Sequence, residues 1–458
     1  MMDNVKLLID IGSTFTKVVA IDLETEEVVS RVESPSTVEE DVTIGLRKAL
    51  SKVEGNVGSI KGKEAIACSS AAGGLRVVSI GLVTELSSEA AKRAALGAGA
   101  KIVGHFSYEL TQSEMRQIEG ICPDLILLAG GTDGGNVKAI IHNASLLSRS
   151  KMAAPIVVAG NKSAFDEIEE IFSTSSKVVK FVKNVMPEIG KLEVEDCREA
   201  MREVFMQNIV RAKGIDKAKQ LVKDIIMPTP VAVLNAAVLL GTGVEGEEGL
   251  GEIIVVDVGG ATTDVNSVAW GKPTRGGVWM RGLPEPFAKR TVEGDLGVRH
   301  NIDVLIHIGK GTGIALDDEA ISLYRSEPSM IPRTQIEMST DAELARIAVQ
   351  TAFERHVGRI EIVYGPMGEM MIQVGKDLSQ VTKVIGTGGP IVFSSCPEKI
   401  LSGVTADSDH PYLLKPRKTD LYIDEKYIMF AIGLLAQSEP KKALRIMKKY
   451  LKPAKTKT

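Results

Sequence analysis

The chain has only four cysteines, Cys68, Cys122, Cys197 and Cys396, and they lie far apart with no CxxC pair and no matching histidine spacing. That scarcity excludes a zinc knuckle or a disulfide framework and leaves buried free thiols in a reducing compartment as the expectation. No apolar run reaches the length of a membrane span. The N-terminus lacks a basic, apolar and cleavage-site succession, because Asp3 precedes a strand that turns polar at Asp10. Charge of one sign is also missing: the net charge is −4 with 25% charged residues, which excludes nucleic acid or a membrane surface as an overall partner. A soluble cytoplasmic protein is expected. One local exception is the tail, where Lys441, Lys442, Arg445, Lys448, Lys449, Lys452, Lys455 and Lys457 follow Glu439 without an intervening acid. It reads as a solvated, frayed helix end in preference to a dock for an acidic partner.

What is present is a repeated form. Leu7–Leu8–Ile9–Asp10–Ile11–Gly12–Ser13–Thr14–Phe15–Thr16–Lys17 and Ile254–Val255–Val256–Asp257–Val258–Gly259–Gly260–Ala261–Thr262–Thr263–Asp264 each set an apolar strand before an Asp, a glycine turn with hydroxyls and a second strand. Continuous apolar runs of this length suit strands covered on both faces. Gly12, Gly259 and Gly260 let backbone approach a polyphosphate, and Ser13, Thr14, Thr262 and Thr263 add hydroxyl donors. Asp10 and Asp257 would repel phosphate directly, so a bound cation is implied between them, and Mg²⁺ fits. Lys17 either reaches a phosphate or faces solvent from its alternating strand. A third element, Thr382 to Ile391, runs an apolar strand into the turn Gly386–Thr387–Gly388–Gly389, where backbone can pass close to a nucleoside.

At 458 residues the chain accommodates two or three domains with sound cores. Val28 to Arg31 reads as a third strand, Val38 to Val53 as an amphipathic helix and Glu64 to Cys68 as a strand. Strict alternation follows, with strands at Val77–Val83, Lys101–Phe106, Leu125–Leu128, Ile156–Ala159 and Val178–Val182 and helices between them. Such alternation argues for a parallel sheet wound by right-handed crossovers. Helical segments are expected from about Glu195 to Ile226, then an Ala-rich helix from Val231 to Gly241. Long helices are expected at Asp341–Glu361 and Tyr427–Gln437. The expected division is 1–74, an inserted α/β domain over 75–190, 191–250 and 251–458.

The order of hairpin, hairpin and late glycine turn resembles the phosphate-1, phosphate-2 and adenosine motifs of the actin-like ATPase superfamily, which includes sugar kinases and heat-shock chaperones. That resemblance implies an α/β protein with two ribonuclease H-like lobes, here with the parallel α/β domain inserted in the first. It also implies ATP or ADP with Mg²⁺ as cofactors, with Asp10 and Asp257 holding the metal and acting in catalysis. Val231–Gly241 resembles the helix that connects the lobes. Some members carry an acid just before that helix, whereas Ile226–Met227–Pro228–Thr229 has none, so slow hydrolysis is expected. Glu293 or Asp295 could substitute, although Glu293–Gly294–Asp295 reads more simply as a turn.

Ala129–Gly130–Gly131–Thr132–Asp133–Gly134–Gly135–Asn136 is either an anion site beyond a parallel strand or a tight turn capped by Asn136. His105 reads as structural, and the cobalamin-binding Asp-x-His-x-x-Gly signature is absent. The segments Leu8–Thr14, Ala67–Leu75, Leu128–Asn136 and Asp257–Asp264, with Leu414–Lys415–Pro416 and Tyr427–Leu435, are similar to the glutamate mutase accessory protein (MutL/GlmL) family over nearly the whole chain. That resemblance implies a slow ATPase that reactivates an adenosylcobalamin-dependent mutase, with the mutase subunits as partners and a homodimer left open. Two other classes stay open: an ATP-dependent small-molecule kinase or hydantoinase/oxoprolinase-like enzyme, and a nucleotide-gated scaffold.

Overall fold

Two sheets share one topology, and that repetition defines the larger part of the molecule. The computed structural model describes residues 4–38, 40–70, 75–209, 215–218, 221–222, 224–311, 316–365 and 368–455. In the first sheet Val5–Ile11 pairs antiparallel with Phe15–Asp22, which pairs antiparallel with Glu27–Pro35. On its other side Val5–Ile11 pairs parallel with Ala65–Ser69, and that strand with Asp224–Pro228. In the second sheet Ile253–Val258 takes the place of Val5–Ile11. It is flanked by antiparallel Thr263–Val268 and Ala288–Glu293 and by parallel Lys383–Thr387 and Asp420–Asp424. Numbered by occurrence, both run 3-2-1-4-5 with the same directions, and the second adds Leu451–Pro453 at its edge. This is the ribonuclease H-like lobe, present twice, so the fold is that of the actin-like ATPases.

Residues Met1–Ser69, Asp216–Arg281 and Glu285–Thr458 form one compact unit, and Ser70–Ile215 with Gly282–Pro284 form another. The second unit is built on an all-parallel sheet in the order 2-1-3-4-5, from Arg76–Gly81, Lys101–Ser107, Leu125–Leu128, Ile156–Val158 and Val179–Phe181. On one face its core is largely aliphatic, with Val78, Ile80, Ile126, Leu128, Ile156 and Val158 in one cluster with Ile118, Ile140 and Ile168 of the helices that cover that face. Of the expected motif at Ala67–Leu75, residues Ala71 to Gly74 lie outside the described residues.

In the first unit the Ala-rich helix Thr229–Thr242 crosses the helix Met429–Leu435, and both belong to a single core with Leu8, Val19, Ile253 and Val255. Close crossing is possible because Gly433 lies against backbone: a Cβ there would stand 1.8 Å from the Ala232 carbonyl oxygen. Asp41 caps the helix Val42–Val57 by accepting from the Thr43 amide at 2.8 Å. The hydroxyl and amide of Thr43, with Lys217, hold the Asp41 carboxyl down to about 2.

Several expectations are corrected here. The end of the stretch expected to be helical as far as Ile226 lies instead in Asp224–Pro228, the fifth strand of the first sheet. The long helix runs Gln335–His356 and starts in a capping box of Thr334 and Glu337. Beyond Gly358 the alternation of Arg359, Ile360, Glu361 and Ile362 takes over as a strand, Arg359–Gly365. Over its described residues, which end at Lys455, the basic tail is not frayed. Ala443, Leu444, Ile446 and Met447 bury one face of helix Pro440–Tyr450, while Arg445 is ion-paired with Glu26 and Glu247, and Lys449 with Glu27. The acidic partners of Arg445 and Lys449 lie within the chain. Cys68 and Cys197 are buried as expected, but Cys122 is exposed. Among the described residues no helix is long and apolar enough to cross a membrane.

His356, fully buried at the end of the long helix, shares hydrogen bonds with Ser267 Oγ and Thr291 Oγ1, both at 2.8 Å. Burial, with Lys289 and Lys376 nearby, pushes its proton affinity well below the ordinary value. The native imidazole therefore stays neutral at pH values where the unfolded one charges. Its contribution is complete above about pH 6.5 and is lost as pH falls, at about 1.4 kcal/mol per pH unit. Urea unfolding between pH 4.5 and 7.5 should show a shallower dependence for His356→Gln than for the native chain.

Candidate functional site

The two expected turns share their geometry residue for residue. Each Asp sits two positions before a glycine whose amide donates to the carbonyl three residues on: Gly12 to Phe15 at 3.2 Å and Gly259 to Thr262 at 2.9 Å. Seven positions after each Asp, and directly across its hairpin, stands a charged residue, Lys17 opposite Asp10 and Asp264 opposite Asp257. The turns also approach one another, since a Cβ added to Gly260 would lie 3.8 Å from Thr14 Oγ1. Ser13, Thr14, Gly259, Gly260 and Thr262 are partly exposed there.

Asp10 is almost fully buried, at 1% exposure. Its Oδ2 accepts from Lys17 Nζ at 2.8 Å, and its Oδ1 accepts from Thr229 Oγ1 at 2.6 Å and from the Cys68 thiol at 3.8 Å. Thr229 begins the crossing helix, so the position where some superfamily members carry an acid holds a hydroxyl bonded to Asp10. Burial works against the charge of Lys17, yet Asp10, Tyr427 and Asp257 outweigh it and hold the ammonium above the usual lysine range. Lys17 Nζ also stands 4.7 Å from the centre of the Tyr427 ring, an attraction between cation and ring face. Lys17 is thus turned into the site and not toward solvent.

Asp257 has no such cation across its hairpin. Burial first, then Asp264, Asp10 and Asp424, with Lys17 opposing, raise its carboxyl to about 7. Asp264 is paired with Arg290 at 2.9 Å. Asp424 is buried, and it accepts from Thr387 Oγ1 and from the amides of Ile428 and Met429 at 2.8–3.1 Å, which anchors the start of the second crossing helix. Thr387 in turn lies beside Asp257 on the neighbouring strand. Arg31 reaches in from the first sheet, its guanidinium carbon 5.3 Å from the Phe393 ring centre and 5.1 Å from that of Tyr427.

Comparison with known proteins decides the family. The MutL protein family model matches residues 6–451. Protein MutL of Clostridium tetanomorphum is 48% identical over 461 residues, covering 97% of this chain and 98% of that one. The chain belongs to the MutL protein family. Solved structures are far more distant. A nucleotide-free acetone carboxylase covers 94% of this chain and 70% of that one, with 13% identity and a TM-score of 0.43. Acetate kinase of Porphyromonas gingivalis covers 95% and 100%, with 12% identity and a TM-score of 0.31.

Not every expected contact residue of this MutL-family chain faces the two turns. Thr263 is fully buried and its hydroxyl donates to the Leu296 carbonyl at 2.7 Å, because strand alternation turns it away from Asp264. Gly386 and Gly388 answer to packing: a Cβ at Gly386 would meet Ile391 at 2.7 Å, and one at Gly388 would meet the Val258 carbonyl oxygen at 2.2 Å. Of that late turn Gly389 alone has an open side, with Phe393 at 3.9 Å as its nearest neighbour. Gly12 is likewise closed, since a Cβ there would lie 2.6 Å from the Phe15 carbonyl oxygen. Glu293 and Asp295 are both held by Arg355 at 2.8 Å, so neither carboxylate is unengaged.

In the second unit the glycine-rich turn satisfies itself. Asn161 Oδ1 accepts from the Gly134 amide, Asn184 donates to Gly131 and Asp133, and Asn136 Oδ1 accepts from the Ala139 amide at the helix start. The capped-turn reading accounts for every one of these bonds. His105 bonds Ser79 Oγ at 2.7 Å. Elsewhere, Glu354, Asp407 and His410 bring ligand-type atoms within 4.8 Å of one another. Lys415 Nζ already bridges those two carboxylates at 3.0 and 2.8 Å, filling a cation's place.

Proposed function

We propose that this chain is a magnesium- and ATP-dependent reactivating factor for an adenosylcobalamin-dependent mutase of the glutamate mutase kind. The observation that carries the nucleotide part is the pair of matching Asp-x-Gly turns, brought together at Gly260 and Thr14. The mutase part rests on family membership and on the resemblance described above.

Asp10 and Asp257 are the residues that would hold Mg²⁺. The donor set fits, since Asp10 and Asp257 offer the carboxylate oxygens that Mg²⁺ takes, and Asp264, Asp10 and Asp424 concentrate negative charge around Asp257. When bound, the metal neutralises phosphate oxygens and orients the polyphosphate. Ser13, Thr14, Gly259, Gly260 and Thr262 supply partly exposed backbone and hydroxyl groups for phosphate, and Lys17 supplies a cation that can exchange Asp10 for phosphate. Gly389 and Phe393 border the nucleoside side. Thr229 keeps Asp10 in place but, as a hydroxyl, is a weak base for an attacking water. Slow turnover suits a protein whose output is a change of shape.

Nucleotide state then biases the two lobes through the crossing helices, and a partner that prefers one lobe arrangement is bound or released accordingly. The inserted α/β domain is the proposed arm toward the mutase. The test is to inactivate such a mutase by loading it with hydroxocobalamin, then add this protein, adenosylcobalamin and nucleotide. Activity should return with Mg²⁺ and ATP and stay absent with ADP alone. Equal recovery with and without the protein would refute the reading.

A further inference from the structure

The chain has only 4% aromatic residues and two tryptophans, yet both tryptophans are exposed: Trp270 at 59% and Trp279 at 71%. Trp279 lies in a three-stranded sheet that neither lobe topology requires, in the order Val278–Arg281, Gly368–Val374, Arg359–Gly365. The register places Met280, Ile362 and Tyr364 on one face, and Trp279 and Met370 on the other. All five are among the exposed large apolar side chains. Tryptophan, tyrosine and methionine are the residue types that concentrate at protein interfaces, and a sheet that exposes large apolar side chains on both faces is a liability unless covered.

The edge is open as well. Among the described residues no strand pairs with the outer side of Val278–Arg281, whereas the start of the opposite edge is covered where the Ile360 amide donates to Tyr412. Unpaired amides and carbonyls along an edge form a template for one more strand. Charge narrows the choice of occupant. Residues 270–284 carry Lys272, Arg275 and Arg281 and no acid, on a chain whose net charge is −4. Arg281 is paired with Glu361, but Arg359 is paired with the same carboxylate, so that face keeps a positive excess. A second copy pairing edge to edge would bring two such cationic segments together, which disfavours it.

We propose that the outer edge of Val278–Arg281 receives an extended acidic segment of a partner protein, which adds a fourth strand to this sheet and covers Trp279 and Met280. The surface is independent of the nucleotide site, so binding here and nucleotide binding can fail separately.

The test uses the full chain with Trp270→Phe, leaving Trp279 as the single indole. The probe is a synthetic octapeptide alternating Val with Glu, titrated without nucleotide while indole emission is followed. A saturable blue shift is expected, weakened by salt, lost when the peptide's backbone amides are N-methylated, and reduced about tenfold or more by Arg275→Glu with Arg281→Glu. Circular dichroism of the variants checks that they remain folded. Equal binding of the N-methylated peptide, equal binding of a Val–Lys peptide, or no shift would overturn the proposal. So would a native dimer, seen by light scattering, that Trp279→Glu converts to monomer, since the edge would then belong to a second copy.

Discussion

Replacing Gly433 with alanine is expected to destabilise the protein by about 3 kcal/mol or more, the upper end of overpacking costs. The added Cβ would lie 1.8 Å from the Ala232 carbonyl oxygen and 2.5 Å from its carbon, both backbone atoms that cannot rotate away. The two crossing helices would have to separate, and they share a core with strands of both sheets, so the strain spreads through both lobes. Guanidinium unfolding should show a lower midpoint, with aggregation during expression as the extreme form. Gly55→Ala serves as the contrast: nothing lies within 4 Å of that position in the helix Val42–Val57, and a gain of roughly 0.5–1 kcal/mol is expected. A Gly433 variant as stable as the parent would mean that the helices do not cross at this contact.

The second large effect is at Asp10. Asp10→Ala leaves the Lys17 ammonium and the Thr229 hydroxyl facing a gap, and removing one partner of a buried ion pair costs about 3–5 kcal/mol. The Lys17 side chain is 14% exposed, so some water reaches it and the lower figure is expected. Asp10→Asn preserves an acceptor for Thr229 and should lose less stability. Combining it with Lys17→Met should recover part of the loss, which a double-mutant cycle by urea unfolding would measure. Nucleotide binding separates stability from function: Asp10→Asn should weaken magnesium-dependent ATP affinity roughly 100-fold, about 2.7 kcal/mol. A variant that binds ATP as the parent does would remove Asp10 from the proposed metal site.

The two turns were readable from sequence because the same rule wrote both: an apolar strand closed by Asp, then glycine two residues later. Asp424 meets only the first half of that rule, ending the run Leu421–Tyr422–Ile423 with Lys426 where a glycine would stand, so the same signal passes over it. Tyr427, Arg31 and Thr229 carry no local mark. Each becomes part of the site only because the crossing helices and the edge of the first sheet meet there. Glycine was an ambiguous signal, since Gly386 and Gly388 are demanded by packing against Ile391 and Val258, and spacing cannot distinguish that from a ligand's demand. The strand Asp224–Pro228 is four residues and a proline, too short for periodicity to separate from helix. The three-stranded sheet escaped notice because its alternation places apolar residues on both faces.

Everything rests on Asp10 and Asp257 holding one cation between two facing turns. Isothermal titration of ATP into the native chain, with and without Mg²⁺ and again in Asp257→Asn, is the direct measurement. The account predicts binding that needs the metal and is lost or greatly weakened in Asp257→Asn. Absence of magnesium-dependent uptake by the native chain, or undiminished uptake by the variant, would contradict it.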